Sequence, residues 1–156
     1  VVALTDETSD EKSSFKWKEG NANLYGTDFP EHGIRDGKTT QYLGYLNTKY
    51  LIAKASVAEA TTVPAASTST SKNNNSLIPG TSGWYLPSHT QLRDLATLAG
   101  KTFTNYSALN GTYWDSTFDS DPNAYIVVFN ENGAISSTDF YRAVDSEQKV
   151  RLILTF

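Results

Sequence analysis

The side chains able to do acid–base, metal or nucleophilic chemistry are few and scattered. Only two histidines occur, His32 and His89, and neither falls at the His/Asp/Glu spacing of a zinc site. His89 belongs to the first turn of a helix and is expected at the surface. No cysteine occurs in the 156 residues, which removes disulfides, thiolate catalysis and cysteine-held metal. Serines and aspartates are plentiful, but no nucleophile elbow frames a serine. No Asp or Glu is flanked by the apolar residues that would raise its pKa for glycosidic acid catalysis. The expectation is therefore no catalytic residue, no cofactor and no enzyme. The closest approach to a metal site is Asp119, Asp121 and Asn123, whose oxygens surround Pro122. Asp-Pro-Asn is also an ordinary turn sequence. A calcium ion needs about six to eight oxygens, more than this short loop offers, so no bound calcium is expected.

What remains is recognition chemistry. The last third of the chain is rich in side chains that hydrogen-bond or stack. Asp115, Asp119, Asn123, Tyr125, Asn130, Asn132, Asp139, Tyr141 and Arg142 are the candidate ligand-binding residues of an exposed strand-and-loop face. Tyr141 and Arg142 are the preferred anchors: tyrosine brings contact area at low entropic cost, and arginine can pair with carboxylates or stack on rings. The second candidate region is the Ser/Asn-rich stretch of residues 67 to 76. The formal charge is −4 and no Lys/Arg cluster appears. Nucleic acid and anionic membrane surfaces, which need a basic face, are excluded as expected partners. No apolar run approaches the ~20 residues of a membrane span. No signal peptide is visible, and the absence of any Met suggests a processed or excised fragment.

These residues need positioning elements. Val1 to Leu4 opens as a strand, and a solvated acidic stretch follows to Ser14. Phe15 and Trp17 alternate with lysines as a short half-buried strand, and residues 19 to 40 read as irregular. Asn47 is placed to cap a helix with Leu51, Ile52, Ala55 and Ala58 on one face. Residues 61 to 83, poor in apolar groups, read as a long surface loop. Ser88 and Gln91 form a capping box for a second helix, with Leu92, Leu95, Ala96 and Ala99 at helical spacing and Gly100 as its stop. Residues 112–118 and 124–129 read as strands, and Asn132-Gly133 as a hairpin turn returning the chain antiparallel over 134–138. Val150 to Leu154 reads as a closing strand, paired with Val1 to Leu4. The whole is one α+β domain over residues 1–156.

Several segments together resemble a family. Trp84-Tyr85-Leu86-Pro87-Ser88 with Gln91-Leu92, Tyr113-Trp114-Asp115-Ser116-Thr117, Ala124 to Phe129, and Val150-Arg151 are similar to motifs of the DUF1566-type, C-type-lectin-like domains, in the family's order. Here Asp115 takes the place of the family's serine. Val1 to Leu4 and Gly44 to Thr48 resemble surface proteins of gut Bacteroidetes. The resemblance implies a C-type-lectin-like fold with two helices and an antiparallel sheet, its N- and C-terminal strands paired. It makes Trp84 and Trp114 core anchors. It extends to the ligand-binding variable proteins of diversity-generating retroelements, whose variable residues lie in this C-terminal region. Formylglycine-generating enzymes share the fold but need the cysteine this chain lacks. Calcium-dependent lectins carry a later Trp-Asn-Asp, also lacking here.

The expected function is a non-catalytic ligand-recognition domain of an extracellular or cell-surface bacterial protein, with a protein or glycan partner. The alternatives are a structural module of an adhesin or fimbrial assembly, and a calcium-dependent lectin. An aromatic-lined concave face over residues 113 to 142 would favour recognition. A long unpaired strand edge would favour assembly.

Overall fold

The computed structural model describes residues 1–9, 12–24, 42–102, 104–120 and 122–156. His32, Asp121 and most of the stretch read as irregular lie outside them, as do the side chains of Asp119 and Asp139. The described chain is α+β. Its elements run β1 (Phe15–Lys16), α1 (Gly44–Val57), α2 (Pro64–Ser76), α3 (His89–Asp94), a 3₁₀ turn (Leu95–Leu98), β2 (Gly111–Ser120), β3 (Asn123–Phe129), β4 (Ile135–Ala143) and β5 (Glu147–Gln148). β2, β3 and β4 make an antiparallel sheet with β3 central, and β1 pairs with β5 in a two-stranded ribbon.

β2 and β3 are buried on both faces, and strand alternation sorts their side chains. Trp114, Phe118, Ala124 and Ile126 face the main core with Trp17, Leu51, Trp84, Leu86 and Leu152. Tyr113, Val127 and Phe129 face a smaller core with Leu92 and Leu109. Asn130 organises the hairpin: its Oδ1 accepts from the Asn132 and Ala134 amides, and Gly133 takes φ +77°, a conformation glycine adopts without penalty.

The chain ends meet as the sequence predicts. Leu154 N donates to Val1 O and Ala3 N to Leu152 O, both at 2.9 Å. The closing segment forms isolated bridges rather than a full strand: Ile153 pairs with Val2 on one side and with Tyr85 on the other. Lys149 meanwhile exchanges backbone bonds with Thr112 and Trp114 of β2. The C-terminal segment thus ties the N-terminus to the sheet.

Three expectations need correction. Residues 61 to 83 are not one surface loop: α2 occupies Pro64–Ser76, giving a third helix. Pro64 supplies a preset φ at the start. Thr68 and Ser69, both buried, return their hydroxyls to Ala65 O and Ala66 O at 2.7 Å, so their polarity is satisfied inside the helix. α1 begins at Gly44, three residues before the expected cap, and Asn47 is buried within it, donating to Ser116 Oγ. The early start reflects close approach. A Cβ on Gly44 would strike Gln91 Oε1, Ser88 N and Leu86 O, so only glycine lets α1 abut the start of α3. Finally, β4 runs to Ala143, which puts Tyr141 and Arg142 in a strand rather than a loop.

Candidate functional site

The capping box at the start of α3 forms as the sequence predicts, with Ser88 and Gln91 bonded reciprocally. Gln91 does more than cap: Oε1 also accepts from Gly44 N, and Nε2 donates to Tyr85 OH. This locks α3 to α1 and to Tyr85, whose backbone in turn bridges Ile153 of the closing segment. The next residue, His89, is turned inward by that geometry.

His89 is 0% exposed, and its Nδ1 lies 2.7 Å from Oδ2 of Asp115, also 0% exposed. The expected surface position of His89 is thereby overturned. Asp115 Oδ1 accepts from Thr117 N at 2.7 Å, and Thr117 Oγ1 accepts from His89 N at 3.1 Å. The ring of Tyr125, itself 1% exposed, lies 5.3 Å from the imidazole. Burial pushes the Asp115 carboxyl above its ordinary value, while the His89 hydrogen bond and charge pull the other way. The expectation that no carboxyl here meets a pKa-raising environment is therefore also overturned. Both members of the pair are sealed from solvent. Their work is to join α3 to β2.

The predicted binding residues consequently divide. Asp115 and Tyr125 leave the exposed face for the interior. The signal was present in the sequence: Asp115 stands beside Tyr113 and Trp114 in a strand whose two faces are both apolar, which leaves its side chain no exposed face. Asn130 and Asn132 are exposed at the β3–β4 turn. Asn123, Tyr141 and Arg142 gather at the other end of the sheet, where Tyr125 pairs with Tyr141 and Ala124 with Arg142. The seven steps along the chain from Asn123 to Asn130 separate the two groups by roughly 23 Å at ~3.3 Å per residue. They cannot form one small site.

The Asn123 end is the more substantial. Tyr141 is 51% exposed and Arg142 is exposed beside it. A polar groove of about 530 Å³ begins at Ala143 and continues along Val144, Asp145 and Pro122 to Lys16, Glu19 and Asn21. Among the described residues, no group of three or more His, Cys, Asp or Glu side chains could hold a metal ion. No helix is long and apolar enough to cross a membrane.

No protein-family model and no curated protein matches the chain. In fold it is similar to the crystal structure of a fimbrial protein from Bacteroides ovatus ATCC 8483, with a TM-score of 0.59 and 21% identity. The match covers 74% of this chain and 25% of that one, so this chain corresponds to about a quarter of the length of the fimbrial protein.

Proposed function

We propose that this chain is a non-catalytic recognition module of an extracellular or cell-surface bacterial protein, with a C-type-lectin-like fold and a DUF1566-type ancestry. The paired chain ends and the Trp84-to-Gln91 and Tyr113-to-Thr117 segments, used here as core and cap, support the fold reading. The observation that carries the function is the adjacent pair Tyr141 and Arg142. They stand exposed on β4, while among the described residues the other aromatics of the central sheet, Tyr113, Trp114, Phe118, Tyr125 and Phe129, are buried. An exposed aromatic next to an arginine is the composition in which binding energy concentrates. Retroelement-type variation at these positions is part of the same proposal, and a protein or glycan ligand suits it.

The test is a binding screen against immobilised glycans and host surface proteins, with and without calcium, using wild type and Tyr141→Ala/Arg142→Ala. A hit that weakens at least tenfold, about 1.4 kcal/mol, in a double variant of unchanged Tm supports the reading. Retained binding with lowered stability sinks it.

A second reading, a structural module of an adhesin or fimbrial assembly, draws support from the similarity to the Bacteroides ovatus fimbrial protein. Among the described residues only β3 pairs with β4, which leaves the other edge of this nine-residue strand for strand addition. Self-association abolished by a proline within β4, with no ligand found, would favour it.

A further inference from the structure

A second groove, of about 590 Å³, runs between α2 and residues 7–9 and 12–19. Its walls are fixed at several points. Glu7 N donates to Val150 O, and the Glu7 carboxylate meets Lys72 Nζ of α2 at 2.8 Å. Lys72 in turn lies over the Trp84 ring, 5.0 Å from its centroid. Ser9 and Lys12 exchange two backbone hydrogen bonds, closing the opposite wall. A groove held this way loses little entropy when a ligand enters.

The charges in the walls are largely spent. Glu7 is held by Lys72, Lys16 by Glu19 at 3.3 Å, and Glu147 accepts from Ser14. Among the described lining residues, neither sign is left in excess to select a strongly acidic or basic partner. The apolar side chains among the described lining residues are Phe15, 8% exposed, and Pro64, and no Trp, Tyr or Arg of the kind that anchors a protein partner joins them. What the groove offers is hydroxyl and amide chemistry. Ser67, Ser71 and Asn75 follow one another at i, i+4, i+8 on α2, which sets neighbouring Cβ atoms roughly 5–6 Å apart along the floor. Asn75 Nδ2 is engaged with Ser71 O, so Asn75 brings its Oδ1 as acceptor. Among the described residues, the Ser67 and Ser71 hydroxyls are not taken up by other groups. Each can both donate and accept, as a sugar hydroxyl can.

We propose that this α2 groove binds a neutral oligosaccharide, as a site separate from the Tyr141–Arg142 end of the sheet. The ligand lies along α2, its ring hydroxyls exchanging hydrogen bonds with Ser67, Ser71 and Asn75. Lys12 contributes a charge-assisted donor from the facing wall.

The experiment is a titration of the whole chain with neutral hexasaccharides derived from dextran, mannan and chitin, followed by amide chemical shifts, with an alginate hexasaccharide as the acidic comparison. It extends to roughly 10 mM ligand, where a Kd of about 1 mM is well resolved. At least one neutral hexasaccharide should shift the amides of residues 67 to 76. Ser67→Ala/Ser71→Ala should weaken it roughly tenfold through two lost hydrogen bonds, with no fall in Tm because alanine is the better helix former. Tyr141→Ala/Arg142→Ala should bind it as wild type does. Binding lost in the Tyr141/Arg142 variant but kept in the serine variant would overturn the groove proposal and support recognition at the sheet end. Tighter binding of alginate would overturn the neutral class. No shift with any sugar would overturn the proposal outright, leaving the sheet-end reading to be judged on its own screen.

Discussion

Arg151 and Asp6 meet across a sequence separation of 145 residues. The guanidinium donates from Nε to Asp6 Oδ1 at 2.8 Å, and Nη2 lies 2.6 Å from the same oxygen. Arg151 is 0% exposed and also donates from Nη1 to Ala3 O and Ser107 O, with Tyr106 beneath its plane. Tyr113 OH donates to the other oxygen of Asp6. One buried cation therefore collects the N-terminal segment, the segment after α3 and the closing segment.

Removing Asp6 leaves that cation buried without its counter-charge, the costly half of a broken ion pair. Asp6→Ala should lower stability by about 3 kcal/mol, and Asp6→Asn by less because the acceptor oxygen survives. Urea unfolding would measure both. An Asp6→Ala loss under about 0.5 kcal/mol, the size of an exposed pair, would show that Arg151 holds its place through the two carbonyls alone.

Gly44→Ala tests the close approach of α1 to α3. The added methyl meets backbone at Ser88 N and Leu86 O as well as the Gln91 side chain, so no rotamer change can relieve it. Overpacking of this kind costs about 1–3 kcal/mol, despite alanine's better helix propensity. Combining the change with Gln91→Ala should not restore stability, since the backbone contacts remain. A variant as stable as wild type would mean the helices slide apart freely.

α2 is held by a side chain, and the prediction there concerns its order. Asn73 accepts from Trp84 N at 2.6 Å and donates to Trp84 O at 3.0 Å, while Trp84 Nε1 donates to Ser76 O. Asn73→Ala should cost about 2 kcal/mol and release hydrogen-exchange protection across residues 64 to 76 before the rest of the chain. Trp84→Ala removes the large ring as well and should cost about 3–5 kcal/mol. Equal exchange across α2 in wild type and Asn73→Ala would refute the clamp.

That clamp explains what sequence reading could and could not reach. The Ser88–Gln91 box, the Asn132-Gly133 turn and the Val1-to-Leu154 pairing depend on short-range chemistry or on apolar strands at the chain ends, and each was legible. α2 was not, because a Ser/Thr/Asn sequence with two alanines carries little periodic signal and owes its helix to contacts eleven residues away. Asn47 looked like a cap because asparagine prefers that position, yet Gly44 lets the helix start earlier and bury it. His89 looks solvent-facing as a single polar residue, and the apolar neighbours of Asp115 point to burial without saying what it meets there. Only their pairing makes burial tolerable, and pairing across 26 residues has no local signature.

The Asp115–His89 pair makes a prediction whose sign can be worked out. Burial raises the Asp115 carboxyl above its ordinary 3.8, against the opposing pull of His89. Between the ordinary value and the raised one, the folded chain holds a proton that the unfolded chain has released. Stability contributed by this group is therefore complete below the ordinary value and is lost as pH rises through the raised one. In Asp115→Asn the amide can still accept from Thr117 N and face His89 Nδ1, but it does not titrate. The Tm of wild type minus that of Asp115→Asn should accordingly fall as pH is raised from about 4 toward neutrality. His89→Gln, which removes the group opposing the shift, should show a steeper fall over the same range. Thermal melts of the three proteins across this pH series decide the matter. A wild-type advantage that grows with pH would mean that His89 outweighs burial and that the pair is an ionised salt bridge.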